Sequence, residues 1–267
     1  MADSFYVPAG DDTWLATPHT TGPWDARAQH GGPPSALLGR AIQRCAPRDD
    51  MIIARFTCEI LRPIPVGEIG VQARLARPGR SVELLEAVAS GGGREVARAT
   101  AWRVLRTDSP PVPARPEPPP PLPGETPPTP AGEGWVDGYL SAIEWRPVHG
   151  HFTEPGPATV WARMRYPLLP DEETGPLERV LAVADSGNGV ASALDIRRWQ
   201  FINPELTVHL QREAAGEWIC LDAQTVIATG GAGLATSVLS DLDGQVGTGA
   251  QSLLVVPRPA FHLGRSG

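Results

Sequence analysis

The chain predicts an α+β fold in which one unit, a helix with an antiparallel sheet, is used twice, and three observations carry that reading. A stretch from Ser109 to Pro130 holds twelve prolines and divides the chain, because proline can continue neither a helix nor a central strand. Each side of it contains a helix-like segment followed by four segments of strand character. Short matches also recur at a near-constant separation: Gly67-Glu68 with Gly216-Glu217, 149 positions on, and Val96, Ala97 and Ala99 with Val246, Gly247 and Gly249, 150 positions on. The identity is thin, so the shared order of elements carries more weight than the matched residues.

Taken in order, Trp14 to Thr17 predicts a short strand, and a turn-rich piece then leads to a helix over Pro33 to Ala46, whose prolines suit a first helical turn. Strands follow over Met51 to Arg62, Val71 to Arg77, Val82 to Ala89 and Glu95 to Leu105. Arg-Pro-Gly at 77 to 79 and the glycine run 91 to 93 read as the turns between them. That run lacks the strand-loop-helix setting of a phosphate loop and predicts a hairpin. Beyond the prolines, strands are expected near Tyr139 to Trp145 and Thr159 to Tyr166, then a helix over Leu177 to Leu194. Four more strands are expected near Phe201 to Gln211, Trp218 to Ile227, Gly233 to Leu239 and Val246 to Val256. A helix followed by four antiparallel strands implies a sheet wrapped round that helix, and two such units make a double hotdog. The predicted domains are 1–108 and 135–267, joined by a stiff, polyproline-like linker, 109–134. Two units side by side let helix N-termini, with their free N–H groups, face a shared groove.

With 267 residues, 41% of them hydrophobic, the chain can bury a substantial core. A net charge of −7 without clustered positive charge argues against a nucleic-acid surface. All 23 basic residues are Arg and none is Lys, which excludes Schiff-base chemistry and a phosphate-loop lysine yet still suits a phosphate-bearing ligand. Three cysteines without a C-x-x-C spacing indicate neither a disulfide framework nor a zinc site. His149 and His151 share a strand face but lack a third ligand, so no metal is expected. No apolar run is long enough to cross a bilayer, and the N-terminus is acidic and polar, which predicts a cytoplasmic protein without membrane partners. Open sheet edges or faces predict a homo-oligomer.

Several stretches resemble the double-hotdog acyl-CoA thioesterases of the thioesterase II (TesB-like) family. They are Gln29-His30-Gly31-Gly32 running into Pro33-Pro34-Ser35-Ala36-Leu37-Leu38, and Phe56-Thr57-Cys58-Glu59-Ile60-Leu61-Arg62-Pro63. In the second half they are Ala182-Val183-Ala184-Asp185-Ser186-Gly187 and Asn203-Pro204-Glu205-Leu206-Thr207-Val208-His209-Leu210-Gln211-Arg212. The resemblance covers nearly the whole chain apart from the linker. It implies hydrolysis of acyl-CoA thioesters by a water activated through an Asp, a hydroxyl residue and a Gln, without cofactor. The family Asp falls on Asp185 and the Gln on Gln251. The hydroxyl position falls on Asn203, a departure, since an amide can position water but is not a hydroxyl. Thr207, four residues along the same presumed strand and so on the same face, is the other candidate.

Thioester hydrolysis needs an activated water beside the carbonyl and donors for the developing oxyanion. Asp185 is the expected base, Gln251 with Asn203 or Thr207 the water holders, and the N–H groups near Gly31, Gly32, Gly187 and Gly189, with His30 beside them, the oxyanion and substrate side. Gln251 aligns with Ala101 of the first half, and Asp185 with the neutral stretch Ala28 to Gly32, as one site per double unit would require. Three other readings stay open: a non-catalytic acyl-CoA binding protein, favoured by Asn203; a 2-enoyl thioester hydratase, whose best Asp and His are Asp185 and His209; and an enzyme acting on acyl carrier protein thioesters.

Overall fold

In the computed structural model, residues 3–109, 118–124, 137–150, 152, 154–196 and 198–258 are described. Most of the predicted linker therefore lies outside the described residues, as does His151. Thirteen strands form one antiparallel sheet. In the first half they are β1 (Tyr6–Gly10), β2 (Thr13–Ala16), β3 (Met51–Ile60), β4 (Glu68–Arg77), β5 (Val82–Gly91) and β6 (Arg94–Leu105). In the second they are β7 (Ile143–His149), β8 (Ala158–Met164), β9 (Trp199–Ile202), β10 (Glu205–Leu210), β11 (Ile219–Ile227), β12 (Ala232–Asp241) and β13 (Gly244–Pro257). Their spatial order is β1-β2-β4-β5-β6-β3-β10-β13-β12-β11-β8-β7, with β9 on the end of β13. The order reads the same from either end, about the β3–β10 pair.

The register carries the repeat more firmly than the sequence matches do. Thr57 opposes Thr100 and Thr207 opposes Ala250; Leu85 opposes Ala101 and Ala235 opposes Gln251. Every member of the second pair lies 150 positions beyond its counterpart. A β-bulge falls between Ala89 and Ser90 and again between Leu239 and Ser240, so even this irregularity is repeated. At the centre, Thr57 and Thr207 face each other with their hydroxyls 3.2 Å apart. The glycine run is the expected hairpin: Gly92 and Gly93 have φ of 57° and 73°, a region that glycine enters at no steric cost.

Helix α1 (Gly32–Arg44) starts on Pro33 and Pro34, where the missing N–H groups would be unbonded anyway. It buries Ala36, Leu37, Leu38 and Ile42 against β4, β5 and β6. Four expectations need correction. The helix foreseen over Leu177 to Leu194 is two pieces, α3 (Pro176–Ala184) and the single turn α4 (Gly187–Val190), because two glycines within four residues weaken the helix there. Of the two, α4 lies on β11, β12, β13 and β8, while α3 packs chiefly on α1. The strand foreseen from Tyr139 opens as a helical turn, α2 (Tyr139–Ala142), and extends only from Ile143. The strand foreseen over Phe201 to Gln211 is cut at Asn203-Pro204 into β9 and β10, since the residue before a proline is restricted and proline has no N–H for the ladder. Asn203 and Thr207 are therefore not on one strand face. Strand β1 was unforeseen; among the described residues no helix is long and apolar enough to cross a membrane.

Helices α1 and α3 meet where glycine leaves no side chain. A Cβ on Gly32 would lie 2.2 Å from the Ala182 carbonyl oxygen, and one on Gly39 2.5 Å from Leu181 Cδ1. Gly32→Ala forces backbone against backbone and is expected to cost about 3 kcal/mol. A Cβ on Gly67 would meet nothing within 4 Å, so chemical denaturation of Gly67→Ala beside Gly32→Ala isolates the steric cost from the loss of glycine.

Candidate active site

Asp185 is the C-cap of α3 and sits in the break before α4. A helix end leaves carbonyls without partners, and Gln251, reaching over from β13, takes that role. Its Nε2 donates to the Asp185 backbone carbonyl (2.9 Å) and to carboxylate Oδ1 (3.2 Å). Its Oε1 accepts the Asn188 N–H of α4 (3.0 Å). One amide thus fastens both sides of the break and one face of the carboxylate. Asn203, freed from the sheet by Pro204, donates from Nδ2 to the same Oδ1 at 2.7 Å.

The other carboxylate oxygen faces the first half of the chain. Oδ2 lies 3.3 Å from His30 Nδ1, which also receives the Gly32 N–H at 3.1 Å. Since Nδ1 accepts the Gly32 N–H it carries no proton, and its contact with Oδ2 is a hydrogen bond only when the carboxyl is protonated and donates. The imidazole stacks on Tyr139, 3.8 Å between centroids at 7°. The Tyr139 hydroxyl bonds the Ala182 carbonyl (2.7 Å) and Ser186 Oγ (2.8 Å). The loop that carries His30 is held in turn by Gln29, which accepts from the Tyr6 hydroxyl (2.6 Å) and donates to the Pro65 carbonyl (2.8 Å). The unforeseen strand β1 therefore braces the site.

Burial dominates the electrostatics. Asp185 is 3% exposed, and desolvation lifts its pKa to about 7 against the pull of Asn203, Gln251 and the Gly31 N–H, with nearby Glu205 adding to the rise. Burial also drives the His30 pKa down to about 3, so the imidazole is neutral at physiological pH. A carboxyl poised near neutrality has the property of a general base.

The carboxylate opens onto a cavity of about 530 Å³ whose wall is mainly apolar, with Trp24, Ile60, Ile64, Phe152, Phe201 and Leu254 among its residues. His30, Gly31, Ser186, Asn188, Gly189 and Asn203 line its polar end. Asp185, Gln251, Asn203 and His30 are thus brought together as the sequence suggested, although His30 contacts the carboxylate itself. Thr207 is not: its hydroxyl turns to Thr57 (3.2 Å) and Glu205 (3.1 Å). Gly31 and Gly32 allow close approach, a Cβ on Gly31 falling 2.7 Å from Asp185 Oδ2, but their N–H groups are already used by Asp185 and His30. The Gly189 N–H goes to the Ser186 carbonyl, and Gly187 fits under Gln251, whose Oε1 would lie 3.1 Å from an added Cβ. His209, the hydratase candidate, sits on β10 opposite Arg55 and Thr248, so the histidine that meets Asp185 is His30. Sequence reasoning missed Tyr139 and Asn188; the Ser-Gly-Asn-Gly composition after Asp185 signalled the break that exposes the latter.

Comparison with known proteins fits this geometry. Residues 20–104 match a model for the acyl-CoA thioesterase N-terminal domain, and residues 116–255 match one for the acyl-CoA thioesterase C-terminal domain. No curated protein matches the sequence. Among solved structures, a hot dog fold protein of unknown function from Alicyclobacillus acidocaldarius superposes with a TM-score of 0.71 at 16% identity, over 91% of this chain and 92% of that one. The acyl-CoA thioesterase II TesB2 of Mycobacterium marinum gives 0.64 at 17% identity, over 97% of both chains. A Thermobifida fusca YX protein assigned to thioesterase II gives 0.72 at 17%, over 95% and 96%. At these identities the likeness establishes the hotdog fold. The two domain matches, which together cover most of the chain, establish that it belongs to the acyl-CoA thioesterase family, as a thioester hydrolase.

Proposed function

We propose that the protein hydrolyses acyl-CoA thioesters to the free acid and coenzyme A, with Asp185 as the base that activates water. The observation that supports this best is a buried carboxyl with a pKa near 7 at the polar end of an apolar cavity, held by two amides, Asn203 and Gln251. In this reading the acyl chain occupies the apolar wall. Asp185 takes a proton from water as the oxygen attacks the thioester carbon, and the tetrahedral oxyanion collapses to the acid. The proton passes from Asp185 to the departing thiolate. Asn203 stands where the family has a hydroxyl: its Nδ2 fixes the carboxylate, which leaves its carbonyl oxygen to orient the water.

The site joins Asp185 and Gln251 of one half to His30 and Gly31 of the other. We read the chain accordingly as a double hotdog with units 1–108 and 135–267, for which the 150-residue register repeat is the support.

Thiol release followed colorimetrically across acyl-CoA chains from acetyl to palmitoyl tests the activity and gives the chain preference. Because only ionised Asp185 can accept the proton, kcat/KM is expected to rise through about pH 7 and level off above it. A profile flat from roughly pH 5 to roughly pH 9 would remove Asp185 as the base. Retention of acyl-CoA with no thiol released would identify a binding protein instead.

A further inference from the structure

The outer face of the second half's sheet carries a group of side chains that the reaction does not use. Arg146 on β7, Trp161 on β8 and Cys220 on β11 stand opposite one another across the ladder, so they share one face. Trp161 and Cys220, with Trp218 just before β11, form an apolar cluster separate from the main core, which takes the alternate residues Val160, Ala162 and Leu221. Glu144 binds Arg146 at 2.7 Å and Arg163 at 2.6 Å. Both guanidinium groups lie over the Trp218 ring, at 4.5 and 4.8 Å from its centroid. One carboxylate thus fixes two cations and, through them, the indole.

Over this cluster lie residues 118–124, Pro-Pro-Pro-Pro-Leu-Pro-Gly, in neither helix nor strand. Leu122 packs on the two tryptophans and the cysteine, and Trp161 is left 0% exposed. The Trp161 indole N–H donates to the Pro120 carbonyl at 3.1 Å, and the Arg146 guanidinium donates to the Pro123 carbonyl at 2.9 Å. Those two carbonyls are three residues apart, and exposure follows the same interval: Pro118, Pro121 and Gly124 are exposed, whereas Pro119, Pro120, Leu122 and Pro123 are half-buried. Three residues per turn is the period of polyproline II, which makes no internal hydrogen bonds, so its carbonyls must be met from outside. A linker that merely crosses a surface needs no such register. Here donors from two strands meet carbonyls one turn apart beside an aromatic floor, as in grooves that read proline-rich ligands.

We propose that this face of β7, β8 and β11 is a polyproline-binding site and that residues 118–123 are its tethered ligand, docked by recognition of their backbone and exchangeable for the same sequence supplied in trans. The site is independent of the reaction, since none of its residues lines the cavity. A short tether holds a ligand at an effective concentration on the order of 1 mM, so a segment that stays docked must bind more tightly than that when free. Proline's fixed φ keeps the segment extended before it docks, which lowers the entropy lost on binding.

The test uses a fluorescently labelled Pro-Pro-Pro-Pro-Leu-Pro peptide and the full chain with residues 118–123 replaced by alternating Gly and Ser, which keeps the length and removes the ligand. Anisotropy should show saturable binding to the replaced protein with a Kd below about 1 mM, and the wild type, its groove filled, should bind about tenfold more weakly. In the replaced protein, Trp161→Phe keeps an aromatic floor and loses the indole donor, and should weaken binding about fivefold, the effect of one hydrogen bond. No saturable binding to the replaced protein, equal binding by the wild type, or equal binding by the Phe variant overturns the site. If the replaced protein does not melt cooperatively, Leu122→Ala in the otherwise intact chain takes its place. That change loosens only the tethered ligand, so the peptide should bind about threefold more tightly than to the wild type. Binding no tighter than the wild type's overturns the exchange.

Discussion

Asp185→Asn is expected to lower kcat by about a hundredfold or more in a protein that keeps its fold. An amide cannot take the water's proton, yet its size lets it occupy the pocket formed by Asn203, Gln251, His30 and the Gly31 N–H. The same substitution should raise stability at neutral and alkaline pH. The carboxyl has a folded pKa of about 7 against an ordinary value of 3.8, so between the two the folded state holds a proton that the unfolded chain releases. Stability from this group is therefore complete below the lower value and is lost as pH rises through about 7. Asparagine does not titrate, so melting temperatures near pH 8 should favour the variant by several degrees, with the gap closing in acid. Kinetics and melts on one preparation separate the two effects: an unchanged kcat would end the assignment of Asp185 as base, whatever the melts show.

Gln251→Ala carries the second largest effect and differs in kind. The side chain is 2% exposed and binds the carbonyl before α4, the N–H within it and the Asp185 carboxylate. Truncation leaves a buried donor and a buried acceptor unpaired, at about 1 to 3 kcal/mol each, and lets the carboxylate swing. We expect kcat to fall about a hundredfold, comparable to removal of a preorganised donor, together with a lower denaturation midpoint. Loss of stability with kcat preserved would make Gln251 a structural brace only.

These two residues also mark how far the sequence could be read. Strand β5, Val82–Gly91, alternates buried and less buried positions along most of its length, a period-two pattern visible in the residues themselves. Helix α1 announced itself through its two prolines and apolar stripe. The break at Ser186 was obscured because apolar residues resume beyond it at Val190 and Ala191, so periodicity alone carried the helix too far. Strand β1 contains Pro8 and mostly exposed residues, which give an edge strand little signature. The site was harder still: Gln251 meets Asp185 across 66 positions, and nothing local in either segment says so. Family resemblance placed that pair, whereas His30, one histidine among glycines, gave no hint that it would lie against the carboxylate.

The mirrored strand order about the Thr57–Thr207 pair has a consequence for how such a site can change. In a symmetric pair of separate chains every substitution is made twice, once where it helps and once in the opposite copy where it can do harm. Here the position that is Gln251 on one side is Ala101 on the other, and the histidine that meets the acid comes from the half without it. Joined into one polypeptide, the halves are released from copying each other: one is free to specialise in the reacting groups, the other in the loop that shields and orients them.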